Sequence, residues 1–149
     1  MSNTTPVEQL VLLPLLRLHN MVYRKTNGRI GHQMPGMPPC LLLHTLGART
    51  GQQRSNALTY AKDGDSYLVV ASFGGSDKHP GWYHNLRKRP DCEINVGPKR
   101  FAVSARKVTP GDADYARLWE IVNQNNANRY TGYQSRTSRP IPVVALTPA

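Results

Sequence analysis

The sequence has few acidic residues, few cysteines and no long uninterrupted apolar run. Nine Asp and Glu stand against nineteen Lys and Arg, which argues against a mechanism built on paired carboxylates. Cys40 and Cys92 are too few for a disulfide framework, no CxxC motif occurs, and the five histidines show no metal-ligand spacing. These absences predict a cytoplasmic, metal-free protein with two buried free thiols.

The apolar stretch near the amino terminus is neither a signal peptide nor a membrane span by its pattern. No basic segment precedes Val7, and Pro14 and Arg17 interrupt the stretch before Leu18. A capping box at Thr5-Pro6-Val7-Glu8 instead predicts a helix that ends near Lys25. Its apolar and basic faces leave two interpretations open: a helix docked on a membrane or partner, and a helix packed against the rest of the protein.

The positive charge indicates an anionic partner. The chain has 149 residues, enough for one hydrophobic core, and carries a formal net charge of +10 with a pI near 10.1. Nucleic acid, an acidic membrane face and a phosphorylated or polycarboxylate ligand all fit this charge, and a soluble protein that is merely basic remains the alternative.

After the first helix the pattern changes to short strands joined by tight turns. Six strands are predicted at about 39–46, 54–61, 66–72, 91–96, 100–106 and 141–146, with helices at 80–88 and 110–124 and a polar loop between 125 and 140. The solidly apolar run at 66–72 predicts a central strand buried on both faces. Because the strands do not alternate with long helices, an antiparallel barrel with peripheral helices is predicted rather than a Rossmann fold.

The turn between the first two strands predicts a phosphate site. The sequence GARTGQQR at 47–54 combines a glycine-bounded turn with a hydroxyl and two guanidinium groups, Arg49 and Arg54. The spacing is not that of a Walker loop, and an ordinary exposed hairpin turn with a basic rim remains the alternative.

Two further segments carry candidate ligand contacts. Gly74 and Gly75 follow an apolar strand and permit close approach of a ligand to the backbone. In the following helix Trp82 could lie along a flat ring and Asn85 could meet a ring edge, or Trp82 could be a plain core contact. Tyr130, in the later loop with Tyr133, could donate a proton, or both tyrosines could simply pack that loop.

Three ordered segments resemble one known family, over about residues 20 to 147. They are LLLHTLGARTGQQRSNALTY (41–60), VVASFGGSDKHPGWYHNLRKRP (69–90) and YQSRTSRPIPVV (133–144). Together they are similar to the deazaflavin-dependent nitroreductases of actinobacteria, within the flavin/deazaflavin oxidoreductases. The resemblance implies a split β-barrel of α+β, mainly β, class over 29–149 after an N-terminal helix at 1–28.

The resemblance also implies chemistry. The enzyme would transfer hydride from reduced coenzyme F-420 to an electron-poor acceptor such as a quinone, a nitroaromatic or nitroimidazole compound, or an activated enone. The residues that match the family's coenzyme site are Arg49, Thr50, Gly51, Arg54, Ala57, Leu58, Thr59, Ser72, Phe73, Gly74, Gly75, Gly81, Trp82 and Asn85. The catalytic candidates at the acceptor are Tyr133, Tyr130 and Ser72, and no metal is implied.

The sequence departs from the family pattern at three positions, and two rival functions remain open. Ala48, Ala57 and Phe73 stand where the family often has a basic residue, a proline and a lysine. A split barrel that binds flavin mononucleotide is one rival, and a basic nucleic-acid-binding barrel is another. The strand at 66–72 has no Lys or Arg, which argues against nucleic acid. Peripheral membrane association through the first helix and a homodimer are both left open.

Overall fold

The protein is described here by a computed structural model that covers residues 38–149. The predicted N-terminal helix and the boundary at residue 28 lie outside these residues. Seven strands form one antiparallel sheet: β1 Cys40–Leu46, β2 Gln53–Thr59, β3 Ala61–Asp63, β4 Ser66–Val70, β5 Asp91–Val96, β6 Lys99–Val108 and β7 Val143–Pro148. The helices are α1 Gly81–Lys88, α2 Tyr115–Asn125 and α3 Arg129–Gln134, with a 3-10 turn at Phe73–Gly75.

The order of the strands explains why the sheet curls. The order is β2-β1-β5-β6-β7-β4-β3, so the two edge strands, β2 and β3, are consecutive in the chain. Only Tyr60 separates them, and its N–H donates to Pro39 O rather than to a strand. Because one residue joins the two edge strands, the sheet must curl until these strands come together at Tyr60. The two strands are not hydrogen-bonded neighbours, so the resulting barrel is open between them.

Alternating side chains on the strands make two hydrophobic clusters on opposite faces of the sheet. On β4, Val69 joins the first cluster while Leu68 and Val70 join the second. Helix α1 covers the first cluster with Trp82, Tyr83 and Leu86. Helices α2 and α3 cover the second cluster with Leu118, Val122 and Tyr130. The prediction that the 66–72 run is buried on both faces is confirmed, although β4 lies second from one edge of the sheet rather than at its centre.

Three local predictions need correction. The strand predicted at 54–61 is interrupted at Tyr60, where the chain passes from one edge of the sheet to the other. The helix predicted from Pro110 begins at Tyr115, because Asp112 accepts a hydrogen bond from Thr109 N–H (2.8 Å) and closes a separate turn. The segment predicted as a loop contains α3, so Tyr130 and Tyr133 lie on a helix.

Cys40 and Cys92 are half-buried thiols that form no disulfide within residues 38–149. Burial raises the pKa of the Cys92 thiol to about 11, and burial also raises the pKa of Cys40. Both thiols are therefore protonated and poorly nucleophilic at neutral pH. Within residues 38–149 no helix is long and apolar enough to cross a membrane, and no group of three metal-ligating side chains occurs.

Candidate functional site

A cavity of about 1360 Å³ opens between the β1–β2 turn, β2, the segment after β4, and helices α1 and α3. Its described lining contains two arginines and no Asp or Glu. The structure brings together at this cavity most of the residues that the sequence predicted for the site: Arg49, Thr50, Arg54, Ala57, Leu58, Thr59, Ser72, Phe73, Gly74, Gly81, Trp82, Asn85, Tyr130 and Tyr133. Gly51 and Gly75 are not part of the lining; each shapes a segment behind it with a positive φ.

The turn at the basic end of the cavity is stabilised by its own hydrogen bonds. Gly47 N donates to Gln52 O and Gly51 N donates to Gly47 O, both at 2.8 Å, and Gln52 N donates to Thr50 Oγ1. Among the described residues the N–H groups of Arg49 and Thr50 have no partner. Both arginines, Arg49 and Arg54, are exposed and make no ion pair within residues 38–149. The turn thus offers two backbone donors and two guanidinium groups to an anion.

Asn85 connects α1 to this turn. Its Oδ1 accepts a hydrogen bond from Ala48 N at 2.8 Å, and its Nδ2 donates to Thr45 Oγ1 at 3.0 Å. Lys88 adds a bond from Nζ to Ala48 O at 2.7 Å. The contact between Asn85 and a ligand ring stays a prediction. In the structure the Asn85 side chain holds the β1–β2 turn in position, a role that residue spacing could not indicate.

The segment after β4 has an unusual backbone. Phe73, Gly74 and Gly75 have φ values of 45°, 64° and 84°. Glycine accepts this left-handed region freely, but for Phe73 it costs about 1–2 kcal/mol. The turn is closed by hydrogen bonds from Gly75 N to Ser72 O (2.9 Å) and from Ser76 N to Phe73 O (3.1 Å).

The Arg139 side chain also holds the segment after β4 in place. Its guanidinium donates to Ser72 O (2.8 Å), Ser76 O (2.8 Å) and Ala71 O (3.2 Å). A fourth bond joins Nη1 to His79 Nδ1 at 3.2 Å. Burial, then the Arg139 charge, lower the pKa of His79, so its Nδ1 is the acceptor. Sequence patterns do not indicate this task of Arg139, because no spacing rule reveals a guanidinium that binds carbonyl groups of a distant segment.

Ser72 and Tyr133 line the cavity and carry hydroxyl groups. Neither hydroxyl makes a hydrogen bond among the described residues. Ser72 is buried, yet within residues 38–149 no enclosed side-chain oxygen lacks a partner, so its Oγ must be reachable from the cavity. Tyr130 is more deeply buried, with its ring 6.1 Å from that of Tyr133. Burial raises the pKa of Tyr130, so its hydroxyl keeps its proton at neutral pH.

Trp82 is a core residue, as one interpretation of its spacing predicted, and its contact with a flat ring stays a prediction. It is 6% exposed and belongs to the first hydrophobic cluster, and it also lines the cavity. His44 is a satisfied, buried histidine: Nδ1 lies 2.8 Å from Ser55 Oγ and Nε2 lies 2.6 Å from Asn95 Oδ1. Ser55 itself lines the cavity, although no sequence pattern indicated it as a site residue.

Substituting the two glycines of the 3-10 turn should have unequal effects. A Cβ at Gly75 would lie 2.6 Å from Tyr133 O, at φ +84°, so we expect Gly75→Ala to lower the free energy of unfolding by about 2–4 kcal/mol. Gly74 has φ +64° and no described atom within 4 Å of such a Cβ, so Gly74→Ala should cost only about 1–2 kcal/mol. Urea unfolding of both variants measures the difference; equal losses would mean that the contact with Tyr133 does not constrain the turn.

The curled antiparallel sheet, open between its two edge strands and carrying a basic cavity, is typical of a split β-barrel. A family model described as F420H(2)-dependent quinone reductase matches residues 15–148. The chain belongs to that family, which makes it a reductase with coenzyme F-420 as its cofactor. Family membership confirms the resemblance drawn from the three sequence segments.

Individual relatives agree with this assignment. The F420H(2)-dependent quinone reductase Rv1261c of Mycobacterium tuberculosis is 69% identical over 141 residues, covering 95% of each chain. A solved structure titled F420-H2 dependent reductase (FDR-A) is 31% identical, with a TM-score of 0.65 over 72% of this chain and 93% of that chain. A structure titled as a domain-swapped dimer is 26% identical, with a TM-score of 0.66 over 91% of this chain and 98% of that one.

Proposed function

We propose that the cavity holds reduced coenzyme F-420 with its phosphate at Arg49, Thr50 and Arg54, and an electron-poor acceptor near Ser72 and Tyr133. The observation that carries this placement is the lining itself. One cavity of about 1360 Å³ joins a basic turn without carboxylates to a wall bearing unpartnered hydroxyl groups. This volume exceeds the roughly 300–1000 Å³ of common small-ligand pockets, which favours two occupants.

The basic turn fits the anionic part of the coenzyme. Phosphate oxygens accept hydrogen bonds from planar guanidinium groups and from backbone N–H groups, and the turn offers both kinds of donor. Neither arginine needs to break an ion pair with a described residue before it binds. Asn85 and Lys88 support the turn from α1, so its shape does not depend on the ligand. In this proposal Arg49, Thr50 and Arg54 bind the coenzyme, and Asn85 and Lys88 hold the turn in position.

The middle of the cavity suits a flat ring. Ala57, Leu58 and Thr59 on β2 line it, with Gly81 and Trp82 at the start of α1. The small side chain of Ala57 and the absent side chain of Gly81 leave room for close approach, and the indole offers an apolar surface. The reduced deazaflavin supplies a hydride, and the protein's contribution is to orient its ring against the acceptor and exclude water.

The hydroxyl wall suits an acceptor that gains negative charge. A quinone that takes up one hydride, with its two electrons, needs one proton to leave as a hydroquinone. Ser72 Oγ and the Tyr133 hydroxyl can donate hydrogen bonds to the oxygen that gains charge, and either can pass on a proton that solvent then replaces. Nitroaromatic compounds and enones develop charge on oxygen in the same way, so we predict that they are accepted as well.

Titration with two cofactors tests the proposed site. We expect reduced coenzyme F-420 to bind with micromolar or tighter affinity and flavin mononucleotide much more weakly, as followed by absorbance. Equal affinity for both, or preference for the flavin, would contradict the assignment of the cavity to the deazaflavin.

Assembly and membrane association remain predictions. The domain-swapped dimer described for a 26% identical structure favours a homodimer for this chain as well. Peripheral membrane association would depend on the amphipathic pattern of the first 25 residues, which lie outside the described part of the chain.

A further inference from the structure

Phe73 is exposed in a way that packing does not explain. Its side chain is 60% exposed, and the only other large hydrophobic side chain of residues 38–149 with marked exposure is Leu46, at 45%. Phe73 lines the cavity, whereas Leu46 does not. An aromatic ring left in water at the wall of a ligand cavity loses the free energy that burial would give it, unless a ligand covers it.

The backbone beneath Phe73 is strained as well. Its φ of 45° is unfavourable for any residue with a Cβ, and an aromatic side chain gives no local compensation of the kind that Asn provides. The strain persists because the neighbouring bonds determine it. Arg139 binds the carbonyl groups of Ser72 and Ser76 on either side, and Gly75 packs against the backbone of Tyr133. Strain maintained in this way at a ligand site indicates a functional conformation.

Phe73 shares the cavity with the proposed proton donors. Phe73 directly follows Ser72, and Tyr130 and Tyr133 line the same cavity. The coenzyme's anionic part is assigned to the arginines of the β1–β2 turn, so the ring of Phe73 is available to the second occupant. An exposed aromatic face next to hydroxyl groups fits a flat, apolar ring that carries oxygen atoms at its edge.

We propose that Phe73 is the stacking surface for the acceptor, so that binding of acceptors with large, flat, apolar rings depends on it more than binding of small polar ones. The inference rests on the proposed function and names a residue that discriminates among acceptors. The resemblance placed Phe73 in the coenzyme site; under this proposal its ring binds the acceptor instead of the coenzyme. The strained turn serves to present this ring to the cavity rather than to stabilise the fold.

Phe73→Asn separates function from stability, because asparagine tolerates positive φ and lacks the ring. With menadione, a fused-ring quinone, we expect the KM to rise at least about tenfold while kcat changes less than about threefold. With a single-ring dimethoxy-methyl-benzoquinone the KM should rise no more than about threefold. Phe73→Tyr keeps the ring and should restore the wild-type KM for menadione.

Two readouts do not depend on turnover. Quenching of tryptophan fluorescence by menadione, measured without coenzyme, should be weaker for Phe73→Asn than for wild type. The melting temperature of Phe73→Asn should equal or exceed that of wild type, because strain is relieved. Leu46→Ala is the matched control: it removes the other exposed large apolar side chain and should leave both quinone KM values unchanged.

The outcomes distinguish this inference from the proposed function. If wild-type protein fails to bind coenzyme F-420, the proposed function is wrong. If wild type binds the coenzyme and reduces quinones, but Phe73→Asn shifts both KM values equally or neither, the stacking role is wrong. A coenzyme dissociation constant that rises with loss of the ring would reassign Phe73 to the coenzyme wall and overturn the inference.

Discussion

Replacing Arg54 with alanine should weaken binding of reduced coenzyme F-420 roughly tenfold to hundredfold. Arg54 lies on β2 just after the β1–β2 turn, is exposed to the cavity, and has no ion-pair partner among the described residues. A charge-assisted hydrogen bond to phosphate contributes about 1.5–3 kcal/mol, with the lower end expected at high salt. Equilibrium titration of the folded variant measures the loss directly.

The controls separate a local contact from a general effect of charge. Lys99→Ala removes one positive charge at the exposed start of β6, away from the cavity, and should leave the dissociation constant within about twofold of wild type. Arg54→Lys keeps the charge but loses the planar fork of donors, so an intermediate affinity is expected. If Arg54→Ala and Lys99→Ala weaken binding equally, the cavity attracts the coenzyme only through its overall charge.

Strand positions could be predicted because each strand carries a local signal. Alternating apolar residues or short apolar runs mark β1, β4, β5, β6 and β7, and the glycine turns mark their ends. The interruption at Tyr60 had no such signal. It arises because the chain must cross from one edge of the curled sheet to the other, and that requirement depends on the order of all seven strands.

Helix α3 could not be predicted for a related reason. A six-residue segment is too short to be helical by propensity alone. The two residues that precede it, Ala127 and Asn128, have positive φ values, which a local pattern does not predict. Its stability comes from tertiary contacts: Asn123 Oδ1 accepts a hydrogen bond from Thr131 N at 3.0 Å, and Tyr130 is buried in the second cluster. Such contacts between distant residues are invisible to a local pattern.

The candidate site shows the same division. The residues that line the cavity lie in compact motifs, so the sequence resemblance could predict that Arg49, Thr50 and Ser72 lie together. The residues that give those motifs their shape lie elsewhere in the chain. Asn85 supports the β1–β2 turn across 37 residues, and Arg139 supports the segment after β4 across 67 residues. Contacts of this kind depend on the complete fold, so residue spacing in the sequence could not predict them.

Replacing Tyr133 with phenylalanine should leave coenzyme binding intact and slow acceptor reduction. Tyr133 lines the cavity, and its hydroxyl makes no hydrogen bond among the described residues, so its removal leaves no broken bond within residues 38–149. The ring itself packs against the second cluster and is retained in the variant. A positioned proton donor contributes ~100-fold or more to rate, whereas a tyrosine that only walls the pocket contributes far less. Steady-state kinetics with a quinone and a nitroimidazole measure the loss.

The matched control for Tyr133→Phe is Tyr115→Phe. Tyr115 is a half-buried tyrosine on α2 whose hydroxyl donates to Ile141 O at 2.7 Å, outside the cavity lining. Its loss should lower the free energy of unfolding by about 1 kcal/mol without slowing turnover. Because Ser72 also lines the cavity and its hydroxyl has no partner among the described residues, Ser72→Ala in the Tyr133→Phe background should slow the reaction further if both groups stabilise charge on the acceptor oxygen. A Tyr133→Phe variant that matches wild type on both acceptors would assign proton delivery to Ser72 or to solvent.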